Sequence, residues 1–225
     1  RPRGGSNAHV KMVLWASAVL TVGGAAALWF LEYNNAFAEM GMGESWLHAW
    51  FQAVTPRTAG FNTMDLRALT PASHLVIMVL MFIGAAPGST GGGVKVTTLV
   101  VLVLVIRTVL TGREDVTFAG RSVQPSTVRN ATALVGLALL TVMGATAFLL
   151  IGQTPAPGAL IFEAVSAFGT VGLSLGATPD LNAAGKLCII VLMFIGRVGP
   201  LTLLIMMRPS GRSRVRYPQA DVMVG

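Results

Sequence analysis

The sequence predicts an all-α membrane protein made of two tandem copies of one unit: a helix, a short re-entrant helix, a glycine turn and another helix. Of its 225 residues, 53% are hydrophobic and only 11% are charged, whereas soluble domains carry about 25% charged residues. The hexapeptide VLMFIG occurs at 79–84 and again at 191–196. A polar glycine turn precedes each copy, at 58–62 and 170–174, with the same offset of 112 (191 minus 79, and 170 minus 58).

The basic residues are grouped in three short segments between apolar stretches, at 1–11, 107–129 and 208–216. The acidic residues fall mostly in the alternate segments. Because basic loops are retained on the cytoplasmic side, this pattern predicts a multi-pass protein with both termini in the cytoplasm. The net charge of +7 forms no single basic face, so no nucleic-acid partner is expected. The basic segments are expected to dock a partner or to contact anionic lipid headgroups.

The first unit is predicted at 12–110, after a cytoplasmic lead-in at 1–11. Residues 12–31 are largely apolar and would form a helix about 30 Å long, enough to cross a bilayer. Residues 45–55 are also apolar but make only about three helical turns. This second helix is therefore predicted to enter the membrane without crossing it.

The following apolar stretch, 74–110, is too long for one spanning helix, since it would extend about 55 Å against a hydrocarbon core of about 30 Å. It contains GAAPGSTGGGVK at 84–95, where we predict that the helix is broken. Irregular backbone at membrane depth is tolerated only where it is buried in protein or lines a wet cavity. The break therefore indicates an aqueous pathway. The alternative is a kinked helix that packs on its neighbours through small residues.

The second unit is predicted at 131–208, after a cytoplasmic loop at 111–130. Its spanning helix is predicted at 131–151, its short helix at 157–169 and its last helix at 185–207, followed by a cytoplasmic tail at 209–225. The short helix begins with a proline, which suits a first helical turn. Because the first residue is Arg1 and no signal peptide precedes the first apolar stretch, we expect an interior fragment or a processed half.

The two glycine turns are candidate cation filters. A short helix that enters from outside directs its carboxyl end, which carries partial negative charge, toward the bilayer centre. Successive backbone carbonyls can replace the hydration shell of K⁺ where glycine permits the backbone angles. TVGL at 170–173 is close to the TVGYG filter of potassium channels. The predicted filter residues are Thr58, Ala59, Gly60 and Phe61 in the first turn, and Thr170, Val171, Gly172 and Leu173 in the second.

Three charged residues in or beside the apolar segments are candidates for a role near the filter. Arg197 is near the middle of the predicted 185–207 helix, where an arginine costs at least about 2.5–3.5 kcal/mol unless it faces water or a partner. We expect it to face the aqueous pathway, to pair with a neighbouring helix, or both. Glu163 in the second short helix and Arg57 after the first are expected to orient the filter by hydrogen bonds rather than to bind the ion.

These motifs resemble those of the Trk/Ktr/HKT superfamily of potassium transporters, and are most similar to the membrane (pore) subunit of bacterial Ktr-type potassium uptake systems. The likeness covers nearly the whole chain. It implies four repeats around one pore, of which this chain looks like the third and fourth, so the chain is expected to be half of a pseudo-fourfold cation pore whose N-terminal half is missing here. The likeness is carried by TPRTAGFNT at 55–63, GAAPGSTGGGVKVTT at 84–98, FGTVGLS at 168–174, GRVGPLT at 196–202 and RYP at 216–218.

The resemblance also implies roles and partners. It makes Gly60 and Gly172 the filter glycines that hold K⁺ on their backbone carbonyls, in a bacterial inner-membrane protein that is not an enzyme and has no cofactor of its own. It implies Na⁺ as an activator, a homodimer to which the tail contributes, and a cytosolic regulatory ring that binds ATP or ADP. Arg197 and an intramembrane loop below the filter would gate the pore, the loop being formed by Gly88, Ser89, Thr90, Gly91, Gly92 and Gly93.

Two other functions remain as alternatives. A coupled secondary cation transporter would hold its ion at the same broken elements near the midplane. A serine hydrolase is suggested by GLSLG at 172–176, but that pattern requires a histidine after the serine, and every histidine precedes Ser174. A phosphate-binding loop fits poorly, because Val94 separates Gly93 from Lys95.

Overall fold

The computed structural model describes residues 5–113 and 115–199. Within these ranges the chain is mostly helical, as predicted, and its other regular elements are two single 3-10 turns and one small hairpin. The predicted tail at 209–225 lies outside the described residues, as do Arg208, Arg212, Arg214 and Arg216. The helices are α1 (Gly5–Glu32), α2 (Met42–Val54), α3 (Pro71–Phe82), α4 (Val96–Leu110), α5 (Pro125–Leu150), α6 (Pro157–Gly169) and α7 (Ala183–Val198).

The offset of 112 extends beyond the two sequence motifs. The 3-10 turns Leu66–Ala68 and Thr178–Asp180 begin at 66 and 178, and α3 and α7 begin at 71 and 183. Both α3 and α7 are capped by the side chain of the preceding residue, Thr70 or Asn182, which accepts a bond from the backbone N–H three positions later. The chain therefore repeats its backbone design as well as its motifs.

The broken helix is present where the sequence predicts it. Helix α3 ends at Phe82 and α4 begins at Val96. The ends of the intervening loop are joined by two backbone hydrogen bonds, from Gly84 N to Val94 O at 2.8 Å and from Val94 N to Phe82 O at 2.9 Å. The two ends of the loop at 84–95 are therefore held together, and the loop between α3 and α4 forms one compact segment.

Three helix boundaries differ from the prediction by more than five residues. Helix α1 begins at Gly5 rather than at residue 12, because nothing between Gly5 and Lys11 interrupts a helix. Helix α5 begins at Pro125 rather than at 131, since proline is preorganised for the first helical position. Helix α7 ends at Val198, short of the predicted 207, because Gly199 adopts a φ of 87°. The remainder of the predicted 185–207 helix lies outside the described residues.

The exterior of the molecule is apolar. Two segments, His9–Glu32 and Pro125–Leu150, are long and apolar enough to cross a membrane, judged by length and composition. Large apolar side chains such as Trp15, Phe30 and Leu140 lie exposed on these helices. Such a surface suits contact with lipid hydrocarbon rather than water.

Helix α6 is enclosed by protein. Every residue from Phe162 to Gly169 is buried, and the helix packs against α3, α5 and α7. Phe162 contacts His74 edge to face with ring centroids 5.9 Å apart, and Phe168 stacks on Phe82 at 5.8 Å. A helix that is apolar on all sides belongs in a core. The second short helix is thus fixed on several sides, while its carboxyl end remains at a cavity.

A two-stranded antiparallel hairpin lies in the segment between α4 and α5. Its strands, β1 (Thr117–Phe118) and β2 (Arg121–Ser122), pair Phe118 with Arg121. Ala119 and Gly120 connect them, both with positive φ, as a tight hairpin turn requires. This hairpin carries part of the basic segment at 107–129.

Candidate functional site

Each short helix ends in a turn with the same unusual backbone. Thr58 and Thr170 have φ of 77° and 52°, and Gly60 and Gly172 have φ of 75° and 93°. Positive φ is rare for a β-branched residue and indicates a backbone held by its surroundings. Because both threonines and both glycines are 112 residues apart, the two turns have positive φ at matching positions.

The two turns contact each other through backbone. A Cβ placed on Gly60 would collide with the carbonyl oxygen of Val171 and would lie 3.8 Å from Gly172 Cα. Glycine is therefore required at position 60 by its positive φ and by this contact. At Gly172 no atom lies within 4 Å of an added Cβ, so this glycine faces open space.

That open space is a cavity of about 400 Å³. The side chains of Val171 and Leu173 are buried in protein, while Gly172 between them is exposed to the cavity. This alternation presents backbone rather than side chains to the space, as a carbonyl filter requires. The cavity is lined by the whole predicted second filter, and also by Glu163, Ser166, Ala167, Ser174, Thr178, Ile189, Met193 and Arg197.

The first turn is less enclosed. Phe61 has 71% of its surface exposed, whereas Leu173 at the matching position has 1%. The Phe61 carbonyl accepts a hydrogen bond from the buried Thr55 hydroxyl at 2.7 Å. The Gly60 and Ala59 amides bond the Thr55 carbonyl at 3.1 Å. Thr55, which sequence analysis did not select, thus holds the first turn from the end of its own helix.

The loop at 84–95 lies against both turns. Gly91 meets the side chain of Thr58, since a Cβ on Gly91 would lie 2.9 Å from its Oγ1 and Cγ2. Gly92 meets Thr170 in the same way, at 2.5 Å from its Oγ1. The Gly92 amide also donates a hydrogen bond to Thr170 Oγ1 at 2.9 Å. Only glycine permits this approach at both positions.

The predicted gating residues therefore form two groups. Gly91, Gly92 and Gly93 lie close to other backbone or to the filter threonines. Gly88, Ser89 and Thr90 are exposed, and nothing lies within 4 Å of a Cβ on Gly88. The six residues were predicted as one set, whereas the contacts with the two glycine turns are made by Gly91 and Gly92.

Arg197 lies in the last turn of α7 and not near the middle of a longer helix, which corrects the predicted position. It is exposed and lines the same cavity as the second turn. The preceding Gly196 packs so closely on the end of α6 that an added Cβ would collide with the Phe168 carbonyl. Lys95, which donates to the Gly91 carbonyl, is close enough to Arg197 for the two cations to repel each other. Two positive charges thus lie beside the loop and the second turn.

Glu163 and Arg57 form hydrogen bonds with different parts of the molecule. The buried Glu163 carboxylate accepts hydrogen bonds from Ser174 Oγ, from Thr178 Oγ1 at 2.7 Å and from the Ala177 amide at 3.3 Å. Arg57 instead reaches α1, where its guanidinium donates to Ser17 Oγ at 3.0 Å. The prediction that both orient the filter by hydrogen bonds therefore fits the contacts of Glu163, whereas Arg57 fixes the end of its turn to the first helix.

Ser174 has the contacts of a structural hydroxyl. It donates to Glu163 and accepts from the Gly176 amide at 2.8 Å. In the described part of the chain, neither of these hydrogen-bond partners of Ser174 is a histidine. The hydrolase alternative has no support in this geometry.

A second buried carboxylate, Glu32, was missed as a structural element. The sequence grouped Glu32 only with the acidic residues of the alternate segments, but it accepts bonds from Thr70, Ser73 and Asn35. Thr70 N and Oγ1 each lie 2.8 Å from Glu32 Oε1. These partners lie between 3 and 41 residues from Glu32 in the sequence, so no regular spacing indicates them. Glu32 ties the end of α1 to the start of α3.

The fold and the site define a membrane protein with two short helices whose glycine turns meet beside a cavity. The sequence model of TrkH, a cation transport protein, matches residues 9–215. The chain therefore belongs to the TrkH family of cation transport proteins, which confirms the resemblance inferred from its motifs.

Individual relatives agree with this assignment. The chain is 37% identical to the Ktr system potassium uptake protein B of Bacillus subtilis (strain 168), covering 96% of this chain and 49% of that protein. It is 35% identical to the potassium/sodium uptake protein NtpJ of Enterococcus hirae, covering 96% of this chain and 50% of that protein. The crystal structure of the potassium transporter TrkH from Vibrio parahaemolyticus superposes with a TM-score of 0.74 at 22% identity, covering 90% of this chain and 44% of that one. The chain thus spans about half the length of these relatives.

Proposed function

We propose that this chain forms two of the four walls of a pore that translocates K⁺ across a bacterial plasma membrane. The observation that carries the proposal is the meeting of two matching glycine turns, Gly60 against Val171 and Gly172, beside a cavity. Dehydrated K⁺ is coordinated by rings of backbone carbonyls, and each turn offers such carbonyls at the end of a short helix. The relatives named as potassium uptake proteins support K⁺ as the ion.

Two further repeats would complete the pore. Helix α6 is covered by α3 of the preceding unit, whereas the described residues supply no equivalent helix for α2. Leu47 and Trp50 of α2 remain exposed. Since the chain spans about half of its relatives, a preceding pair of units is the occupant that we propose for this face.

The loop at 84–95 and Arg197 would gate this pore. The loop contacts both filter turns through Gly91 and Gly92, so a shift of the loop changes the space directly beside them. Arg197 and Lys95 place positive charge next to the same loop, which opposes the passage of a cation. Movement of the loop and relief of this repulsion would together open the pathway.

Regulation and assembly follow from the family likeness. We propose a homodimer, a cytosolic ring that binds ATP or ADP, and Na⁺ as an activator. The basic segment at 107–129, with its hairpin, is the described surface suited to such a ring or to anionic lipid headgroups. The protein would lie in the inner membrane with both termini in the cytoplasm.

The filter is tested by a matched pair of glycine variants. Gly172 and Gly152 both have positive φ, and both have no atom within 4 Å of an added Cβ, so serine strains the backbone equally at either site. Gly172→Ser is expected to lower rubidium uptake or its selectivity over sodium by about tenfold or more, and Gly152→Ser by far less. Uptake is measured in cells that express this chain together with the repeats that complete its pore. Equal effects would exclude the filter assignment.

The gate and the transport mode are tested by flux. Removal of residues 88–93, or Arg197→Ala, is expected to raise basal rubidium flux. Unchanged conduction by a folded variant would place the gate elsewhere. A pore carries rubidium down its gradient without a co-substrate, whereas strict one-for-one coupling to sodium or protons would favour the secondary transporter instead.

A further inference from the structure

The buried carboxylate of Glu163 lies directly behind the second turn. Only 5% of its surface is exposed, and its oxygens accept hydrogen bonds from Ser174 Oγ, the Ala177 amide and Thr178 Oγ1. A buried carboxylate is stable only when such donors surround it, and hydrogen bonds to a charged acceptor are about twice as strong as neutral ones. Glu163 thus fixes, at three points, the segment that leaves the filter.

This segment is held from its other side by the first unit. The Arg67 guanidinium packs on Gly176, where an added Cβ would collide with it. The Gly176 amide in turn donates to Ser174 Oγ at 2.8 Å. The backbone that follows Leu173 is therefore clamped between the Glu163 carboxylate of its own repeat and a side chain of the preceding repeat.

The first turn has no such carboxylate. Position 51, which matches 163 after subtraction of 112, is a phenylalanine. The side-chain restraints there are a hydrogen bond from Thr55 Oγ1 to the Phe61 carbonyl and one between His48 Nδ1 and Thr63 Oγ1. The two turns share positive φ at matching positions, but only the second is held by a buried carboxylate.

We propose that Glu163 is a positioning residue that sets the discrimination of the second turn between K⁺ and Na⁺. This inference rests on the proposed function. A filter held at fixed spacing keeps its carbonyls at the distance that suits K⁺, whereas a loosened turn can contract onto the smaller Na⁺. Because Glu163 holds the segment directly after Leu173, loss of its carboxylate releases the turn without altering any filter residue.

The test compares rubidium and sodium uptake per transporter in the membrane, in cells that express this chain with the repeats that complete its pore. Glu163→Ala is expected to lower the rubidium-to-sodium ratio by about tenfold. Glu163→Gln is expected to restore most of it, because the amide oxygen still accepts from Ser174 and the amide nitrogen can donate to Thr178. Gln153→Ala is the control, since Gln153 bonds Asn182 at the start of α7 and does not touch the turn.

A folded Glu163→Ala protein with an unchanged rubidium-to-sodium ratio would overturn the proposal, even if less protein reached the membrane. A residue with only a structural role changes the amount of transporter in the membrane and not its selectivity. A Gln variant as unselective as Ala would also overturn it. Where Glu163→Ala fails to fold, Thr178→Val removes one of the three donors and is expected to lower the ratio about twofold to threefold; no change would again overturn it. Gly172→Ser distinguishes failure of this inference from failure of the proposed function. If this substitution in the filter leaves uptake and selectivity unchanged, the proposed function itself is excluded.

Discussion

Helices α2 and α6 occupy the same place in the duplicated unit, but their surroundings are nearly opposite. Trp50 of α2 is 47% exposed, while Phe162, its counterpart after the offset of 112, is fully buried at 0%. The difference comes from α3, whose His74 contacts Phe162, whereas the described chain places no equivalent helix over Trp50. The second short helix is thus covered by the repeat that precedes it, and within residues 5–113 and 115–199 the first short helix has no such neighbour.

The turns after these helices differ in the same direction. The second turn is enclosed and held by a carboxylate, and the first is open and held by the Thr55 hydroxyl. Turns with positive φ at matching positions can therefore be stabilised by different side chains. The comparison indicates that sequence similarity between repeats reports the shape of a turn and not the strength with which it is held.

The largest effect is expected where the two turns touch. Gly60→Ala adds a Cβ against the Val171 carbonyl and also strains a positive φ, while Gly172→Ala causes only the strain. Rubidium uptake is expected to fall by about a hundredfold for Gly60→Ala and by about tenfold for Gly172→Ala. A greater loss at Gly172 would mean that the turns do not meet as described.

The exposed face of α2 provides the next comparison. Phe162→Ala is expected to lower the free energy of unfolding by about 3–5 kcal/mol. If preceding repeats cover α2, Trp50→Ala should have a similar effect in the complete transporter. Thermal unfolding of the purified protein in detergent measures both. A much smaller effect at Trp50 would show that this face meets lipid instead of protein.

In each unit, hydrogen bonds join the end of the first helix to the start of the third helix, but the bonds differ between the two units. Glu32→Ala leaves several buried donors from Thr70, Ser73 and Asn35 without an acceptor, which should lower the free energy of unfolding by about 2–3 kcal/mol. Gln153→Ala breaks two exposed hydrogen bonds with Asn182 and should cost only about 0.5–1 kcal/mol, because water replaces them. Denaturation midpoints of the two variants check the order. Equal values would mean that the Glu32 cluster is open to water.

The smallest effect is expected at Thr55. Thr55→Val keeps the shape of the side chain and removes its bond to the Phe61 carbonyl, so it should destabilise the first turn by about 1 kcal/mol. The rubidium-to-sodium ratio is then expected to fall less than for Glu163→Ala. A larger fall at Thr55 would reverse the proposed inequality between the two turns.

Much of the backbone plan could be predicted from local sequence. The short helix α6 has the bounds that its apolar length and early proline indicate, and the break between α3 and α4 follows from a stretch too long for the bilayer. The end of α7 was predicted wrongly, because the apolar pattern continues through Gly199 while its positive φ ends the helix. Hydrophobic periodicity indicates which residues avoid water. It does not indicate where a single residue adopts backbone angles that end a helix.

The partners of the site residues could not be predicted in this way. Thr170 meets Gly92 across 78 positions, and Glu32 meets Ser73 across 41. Glu163 was selected from the sequence because a carboxylate in an apolar helix needs donors, but nothing in the sequence identified those donors. Thr55 gave no signal, since a threonine after a short helix is common.

The sequence by itself determined the duplication, the membrane setting, the two glycine turns and the broken helix, because each depends on local composition and on distances along the chain. Only the tertiary structure decided that Gly60 lies against Val171, that Gly91 and Gly92 contact the two threonines, and that α6 is enclosed while α2 is not. These are contacts between segments far apart in the chain. They depend on how whole helices pack, and the same repeated unit packs differently according to its neighbours.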